Sequence, residues 1–451
     1  MIKLKMKRRS NTPYTNFCLI FSLLWGFILV SQTNGYSQVD PRCLTPQYDS
    51  LLHARYPGLG QHRDKLNQMV IQARSKAVNR AHLRTNATET TIIIPVVIHV
   101  IHNTRSGYVG GANNGNISDE QILSQLEVLN EDYRRKEGTN GFNTDPVGAD
   151  VNIEFHLASL DPNGNPTTGI VRVFDEQASF DINTDDQKLK AISYWPSNRY
   201  LNIWVTSLKN KYLGYAQFPD VNDVPGLSPI GGLEKTDGVV INHTNFGRRT
   251  GTVTSKVYGD GRTTTHEVAH WLGLLHTWGD DDCGNDYCED TPEASGPNNT
   301  TSCTDLFSTC SGTEIRNMIE NFLDYSPDLC MNVFTQNQKE RIRLVMEVSP
   351  RRAELVRRSS EAFKSAEDNT VHIGPNPAKD FANIYVNYSD LSNIKIEVVD
   401  IVGRTMNTVS YSLSGNRLSL DVRSIPNGLY FVRVASDNQT NTVKLMVKKE
   451  L

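Results

Sequence analysis

Residues 119 to 135 carry Ile122, Leu126, Leu129 and Tyr133 on one helical face, and Ser118-Asp119-Glu120-Gln121 ahead of them reads as a capping-box start. Strand patterns follow at about 151 to 159, at 200 to 207 and at 238 to 242, the last with an edge that an extended peptide can join. A closing helix is expected from 335 to about 347, with Gln338 completing a second capping box and Pro350 ending it. Residues 351 to 368 are charged and polar, as in a linker. From 369 to 451 the pattern changes to short alternating strands, at 383–386, 394–400, 428–434 and 442–447, which argue a small β-sandwich. At the other end, Lys3, Lys5, Lys7, Arg8 and Arg9 precede an apolar stretch from Phe17 to Val30, too short to span a bilayer. This is the layout of a signal peptide, with small residues near Gly35 and Ser37 as the cleavage point, so residues 1 to 37 are expected to be removed on export.

Between the strand at 238 to 242 and the closing helix lies His266-Glu267-Val268-Ala269-His270-Trp271-Leu272-Gly273-Leu274-Leu275-His276, which reads HExxHxxGxxH. Residues four apart share a helical face, so His266 and His270 can present two imidazoles to one zinc ion. Glu267 stands beside the open coordination position, as a general base for an activated water requires. Gly273 accepts the left-handed conformation that stops the helix, and His276 then returns as a third ligand. Three neutral nitrogens leave one position open, the arrangement of a catalytic site rather than a structural one. By composition the extended pattern arises by chance on the order of 10⁻⁵ times per chain of this length.

The motif and its flanks resemble the pappalysin family of metzincin metalloproteases. The flanks are the strand from Ile92 to His102, the Asp290-Thr291-Pro292 turn, and Asn321-Phe322-Leu323-Asp324-Tyr325 leading to Cys330-Met331-Asn332; the likeness runs over roughly residues 90 to 348. It implies an α+β fold class: a catalytic domain at 90 to 350, with a mixed twisted sheet, an active-site helix and a loop-rich lower subdomain. In such domains the region of the 238–242 strand lines the cleft. Leu323 stands where the family has the methionine of its Met-turn, a swap of similar volume that leaves the pocket floor apolar. Tyr325 keeps the family's tyrosine, whose phenol can stabilise an oxyanion; a core role for that ring is the competing reading. Some relatives prefer a basic residue after the scissile bond, using an acidic residue near the cysteine that follows the Met-turn; here Asp328 lies two positions before Cys330.

Six of the seven cysteines follow the signal stretch. Cys43 stands apart, in a segment from 38 to 89 that ends in Arg74, Lys76, Arg80 and Arg84. A thiolate is a soft anionic ligand, and pappalysin-like precursors resemble this arrangement, so 38 to 89 reads as an inhibitory propeptide with Cys43 on the zinc. A disulfide from Cys43 to the catalytic domain is the alternative. The resemblance implies the pairs Cys283 with Cys310 and Cys303 with Cys330, leaving Cys288 over; spacing alone leaves fifteen pairings open. It also implies structural calcium in the acidic stretch after the zinc motif, at Asp282, Asp286, Asp290 and Thr291, against the reading of a solvated acidic loop.

The C-terminal wording, Gly374-Pro375-Asn376-Pro377-Ala378 and Val443-Lys444-Leu445-Met446-Val447-Lys448-Lys449, resembles the sorting domain of bacterial type IX secretion. That implies a partner in the secretion machinery; a plain binding sandwich is the rival. Length and charge change this little: 451 residues suffice for one catalytic domain with two appendages, and a net charge of -4 argues against nucleic-acid attraction. The expectation is a secreted, monomeric zinc endopeptidase acting on protein or peptide substrates and made as a zymogen. The alternative is a surface adhesin whose protease domain has lost activity through Leu323.

Overall fold

The computed structural model describes residues 42–81, 90–221, 233–363, 371–374, 376–386, 393–414, 417–436 and 439–449. The signal stretch, the ends of the 38–89 segment and Pro375 lie outside the described residues. The segment ahead of residue 90 is helical, with α1 at Thr45–Arg55 and α2 at Leu59–Ala81.

The upper half of the next region is a six-stranded sheet. Its centre is β1, Ile92–His102, whose side chains from Ile94 onward are all buried, as expected of a strand covered on both faces. The first half of β1 pairs with β2, Ile153–Leu157, and the second half with β3, Ile170–Phe174, both parallel. On the other side follow β4, Leu201–Thr206, then β6, Val239–Asn242, and finally β5, Gly214–Ala216, the one antiparallel strand. The edge beside the cleft is therefore β5, while β6 is paired on both sides, which corrects the expectation placed on 238 to 242. A three-residue strand is too short for a pattern of its own.

Helix α3, Asp119–Tyr133, packs on β2. Ser118 caps it by accepting from the Gln121 N–H, but Gln121 does not return to complete a box. Its amide donates instead to the His243 and Phe246 carbonyls, both at 2.8 Å, fixing the loop after β6. Further short helices are α4, Ile182–Ile192, and α5, Leu233–Thr236. Helix α6, Arg262–Trp271, is buried along its whole length. Its start is fixed by a buried ion pair from Arg262 to Asp132 at 2.9 Å, and Asp132 also accepts from Thr265 at 2.7 Å. Removing one partner of such a pair typically costs about 3–5 kcal/mol.

The lower half is mostly loop, with one small hairpin of β7, Phe307–Ser308, and β8, Ile315–Arg316. Disulfides Cys283–Cys310 and Cys303–Cys330 close it, and Cys43 and Cys288 are free. Helix α7, Gln336–Val348, carries the full Thr335/Gln338 capping box. Gln338 also exchanges two 3.0 Å amide hydrogen bonds with Asn321, tying the turn before Leu323 to this helix. Pro350 does not simply end the chain's helical course: it occupies the first turn of α8, Pro350–Arg358. Proline suits that position because its missing N–H is not needed there. Arg352 of α8 pairs with buried Asp237 at 2.6 Å, so this part of the expected linker is packed structure.

The C-terminal region has two antiparallel sheets. One runs β12-β13-β10-β9, from Ser410–Ser414, Arg417–Asp421, Phe381–Val386 and Val371–Gly374; the other runs β11-β14-β15, from Lys395–Asp400, Gly428–Ser436 and Gln439–Val447. Ile384, Leu418 and Leu420 of the first and Val398, Val432, Val434 and Leu445 of the second share one core, the construction of a β-sandwich.

Candidate active site

Helix α6 presents His266 and His270 one turn apart, and the chain reverses at Gly273, where φ is +95° and an added Cβ would lie 2.9 Å from Val345. The reversal brings His276 back. The Nε2 atoms of His266, His270 and His276 stand 3.1 Å from one another in a triangle. Each opposite ring nitrogen faces an acceptor: the Phe322 carbonyl at 2.6 Å for His266, the Leu274 carbonyl at 2.8 Å for His270, and the Asp280 carboxylate for His276. Nδ1 therefore carries the proton on each ring, and three Nε2 lone pairs converge where only a cation relieves their repulsion. The edge of a tetrahedron with zinc–nitrogen bonds of about 2.0–2.1 Å is close to this spacing, so the residues fit zinc. Burial holds His266 well below the ordinary histidine range and His270 down at about 3, which keeps both neutral, as ligands must be.

Glu267 is fully buried. Its Oε2 accepts from Thr45 Oγ1 at 2.7 Å and from the Cys43 thiol at 3.4 Å, and its Oε1 has no partner. Burial pushes its carboxyl up to about 7, against those two hydrogen bonds, which suits a general base. The Sγ of Cys43 and one nitrogen of each histidine all lie within 4.8 Å of one another, the one such metal-ligand group among the described residues. Burial and neighbouring Glu267 push the Cys43 thiol up, a preference that a divalent cation held by the three histidines would invert.

Residues 42 to 45 lie along the edge strand. Cys43 forms a parallel bridge with Gly214, the Leu44 N–H donates to the Gly214 carbonyl at 3.0 Å, and Thr45 Oγ1 accepts from the Ala216 N–H at 2.8 Å. The Tyr325 hydroxyl donates to the Cys43 carbonyl at 3.2 Å, and its ring stands 5.0 Å from that of His276. Leu323 is fully buried in the core behind the histidines. Arg42 donates to Asp328 at 3.0 Å and to the Ser326 carbonyl, with both partners of the ion pair buried.

The acidic stretch expected to hold calcium spreads its side chains over several partners. Of its four assigned residues only Asp286 and Thr291 meet, at 2.7 Å. Asp290 accepts from Thr335 Oγ1 and the Asn337 N–H at the start of α7, and Asp282 is exposed beside Cys283. Asp286 also accepts from the Cys288 N–H at 2.9 Å, so the Asp286 and Asp290 carboxylates are shared between hydroxyls and backbone N–H groups, and Asp282, Asp286 and Asp290 do not converge as one metal-ligand group in this structure. Thr45, Gly214 and Asp280 enter the site without having been singled out in the sequence; only Asp280, four residues after His276, carries a local signal, a carboxylate within reach of a ligand imidazole.

Three buried imidazoles around one point, a glutamate beside them and a sheet edge that already pairs with an extended segment define a metalloprotease. The sequence profile described as Pregnancy-associated plasma protein-A matches residues 183–347, and that of the Secretion system C-terminal sorting domain matches residues 372–448. The extracellular metalloprotease of Arthroderma benhamiae is 30% identical over 270 residues, 59% of this chain and 76% of the relative. That of Colletotrichum graminicola is 30% identical over 290 residues, covering 63% and 88%. Among solved structures, Tannerella forsythia mature mirolysin in complex with a cleaved peptide aligns with a TM-score of 0.52 and 38% identity, over 61% of this chain and 99% of that one. A Tannerella forsythia promirolysin mutant aligns with a TM-score of 0.54 and 35% identity, over 71% and 99%. The chain belongs to the pappalysin family of metalloproteases, and it carries a C-terminal secretion-sorting domain.

Proposed function

We propose that this secreted metalloprotease is an endopeptidase made as a zymogen, with residues 38 to 89 as the prosegment and Cys43 as the residue that blocks the metal. The Cys43 Sγ, within 4.8 Å of a nitrogen of each of the three histidines, carries this reading. Zinc held by His266, His270 and His276 supplies Lewis acidity toward a water and the scissile carbonyl. Glu267 takes the water's proton through the carboxylate that Thr45 and Cys43 engage in the precursor, and returns it to the leaving amine. Tyr325 donates to the peptide oxygen, as it does to the Cys43 carbonyl here. Substrates add to the β5 edge, which residues 42 to 45 cover in the precursor.

The Arg42–Asp328 pair supports a basic residue in the adjoining subsite, because buried Asp328 needs a cation once Arg42 has gone. The sorting domain directs the chain to the secretion machinery, and residues 1 to 37 act as its export signal.

The test is the precursor with Cys43→Ala. Its self-processing is expected to be faster than that of the wild type, and an unchanged rate would overturn the switch. Glu267→Ala is expected to remove chelator-sensitive casein cleavage, by about 10²-fold or more, while zinc content stays at one per chain. Retained cleavage in that variant would reject the assigned base.

A further inference from the structure

On the far side of β5 from Glu267, a buried ion pair joins Lys190 and Asp186 of α4 at 2.8 Å. Such a pair is costly to desolvate unless its remaining hydrogen bonds are filled. Two phenols fill them. The Tyr215 hydroxyl donates to Asp186 Oδ1 at 2.8 Å, and the Tyr48 hydroxyl accepts from Lys190 Nζ and donates to Asp186 Oδ2, both at 3.0 Å. The Lys190 ammonium lies 4.4 Å from the centre of the Tyr48 ring, 5.0 Å from that of Tyr215 and 5.5 Å from that of Trp204. The slot is built for a ring that carries a hydroxyl: aromatic walls, a cation over the face, one donor and one acceptor at the tip.

Tyr215 is native to the catalytic domain, but Tyr48 belongs to the segment removed on maturation. When that segment leaves, Lys190 and Asp186 each lose a partner that water alone must replace in an aromatic-walled slot. The slot lies next to the substrate edge, since Tyr215 stands between Gly214, whose carbonyl accepts from the Leu44 N–H, and Ala216, whose N–H donates to Thr45 Oγ1.

We propose that Asp186, Lys190 and Tyr215 form a phenol-binding pocket that Tyr48 fills in the precursor and that a tyrosine side chain of the substrate fills in the mature enzyme. The proposal rests on the reading of residues 38 to 89 as a removable prosegment. It adds a specificity site on the opposite face of the edge strand from the Asp328 subsite.

The test uses full-length precursor allowed to process itself, so that Cys43 is no longer attached and its role does not enter. Peptides that differ only in tyrosine or phenylalanine are scanned through the three positions on each side of the scissile bond. At one position, kcat/KM for tyrosine is expected to exceed that for phenylalanine by about fivefold, the worth of one net hydrogen bond. Lys190→Met combined with Asp186→Leu, which removes both the donor and the acceptor at the tip, is expected to bring that ratio to one. The ratio is read within each enzyme, so partial loss of folded protein cancels. In the precursor, Tyr48→Phe is expected to speed self-processing. A ratio of one at every position in the wild type, or a tyrosine preference that survives the double variant, overturns the pocket.

Discussion

Asp280 holds His276 from a backbone conformation that few side chains adopt, at φ +62°, and it is the one side chain among the three acceptors behind the ligand imidazoles. A carboxylate there fixes the tautomer and raises the basicity of the ring, so Asp280→Asn is expected to weaken zinc binding by about 10–100-fold. Transfer of zinc to a chromogenic chelator measures this directly, and an unchanged transfer rate would assign Asp280 to the loop alone. Leu323 is the opposite case. It is fully buried against an apolar floor, so Leu323→Met is expected to shift stability by less than about 1.5 kcal/mol and leave zinc content unchanged. At this scale the histidine spacing was legible because helix geometry ties it to one face. Thr45 and Asp328 were not legible as partners of Glu267 and Arg42, because nothing in a sequence says which way a lone polar side chain turns after the chain folds back, whereas Asp280 carried a signal in its spacing of four residues from His276.

Among the elements, β1 was legible from its resemblance and α6 from its motif, whereas α1 was hidden. Its buried residues are Thr45, Tyr48, Asp49 and Leu52, at helical spacing, but two of the four are polar and so make no apolar stripe. The central strand has its own polar intrusion in His99, buried between Ser193 at 2.7 Å and Asn202 at 2.9 Å. Burial holds His99 down from 6.5 to about 4, so the folded chain resists a proton that the unfolded chain accepts. Its contribution to stability is complete above pH 6.5 and is lost as pH falls toward 4, amounting to about 3 kcal/mol. Urea unfolding between pH 7 and pH 4.5 is expected to show a shallower pH dependence in His99→Gln than in the wild type. Equal slopes in the two proteins would place the acid sensitivity elsewhere.

At the scale of the whole molecule, the proposed zymogen reading makes latency depend on how the Cys43 thiol is kept at its post. A single cysteine ligand tied to a loose chain exchanges readily, while one tied to a docked element returns at high effective concentration. Helix α2 supplies the dock: Leu66 and Val70 pack with Val221, Leu344 and Val345, Asn67 accepts from Arg341 at 2.6 Å, and Arg74 pairs with Glu340 at 2.7 Å. Apart from Val221 these partners lie on α7, and Leu66 and Val70 can be truncated without altering any of the three histidines or Glu267. Truncating a buried aliphatic side chain to alanine commonly costs about 2–5 kcal/mol, less for valine, and here the loss falls on docking of the prosegment. Leu66→Ala with Val70→Ala is therefore expected to raise the rate of Cys43 alkylation in the zinc-loaded precursor by at least about tenfold, and self-processing with it. Alkylation at the wild-type rate would mean that the thiol holds its place by its own ligand bond and the residues nearest to it, and that the helices merely connect it to the enzyme.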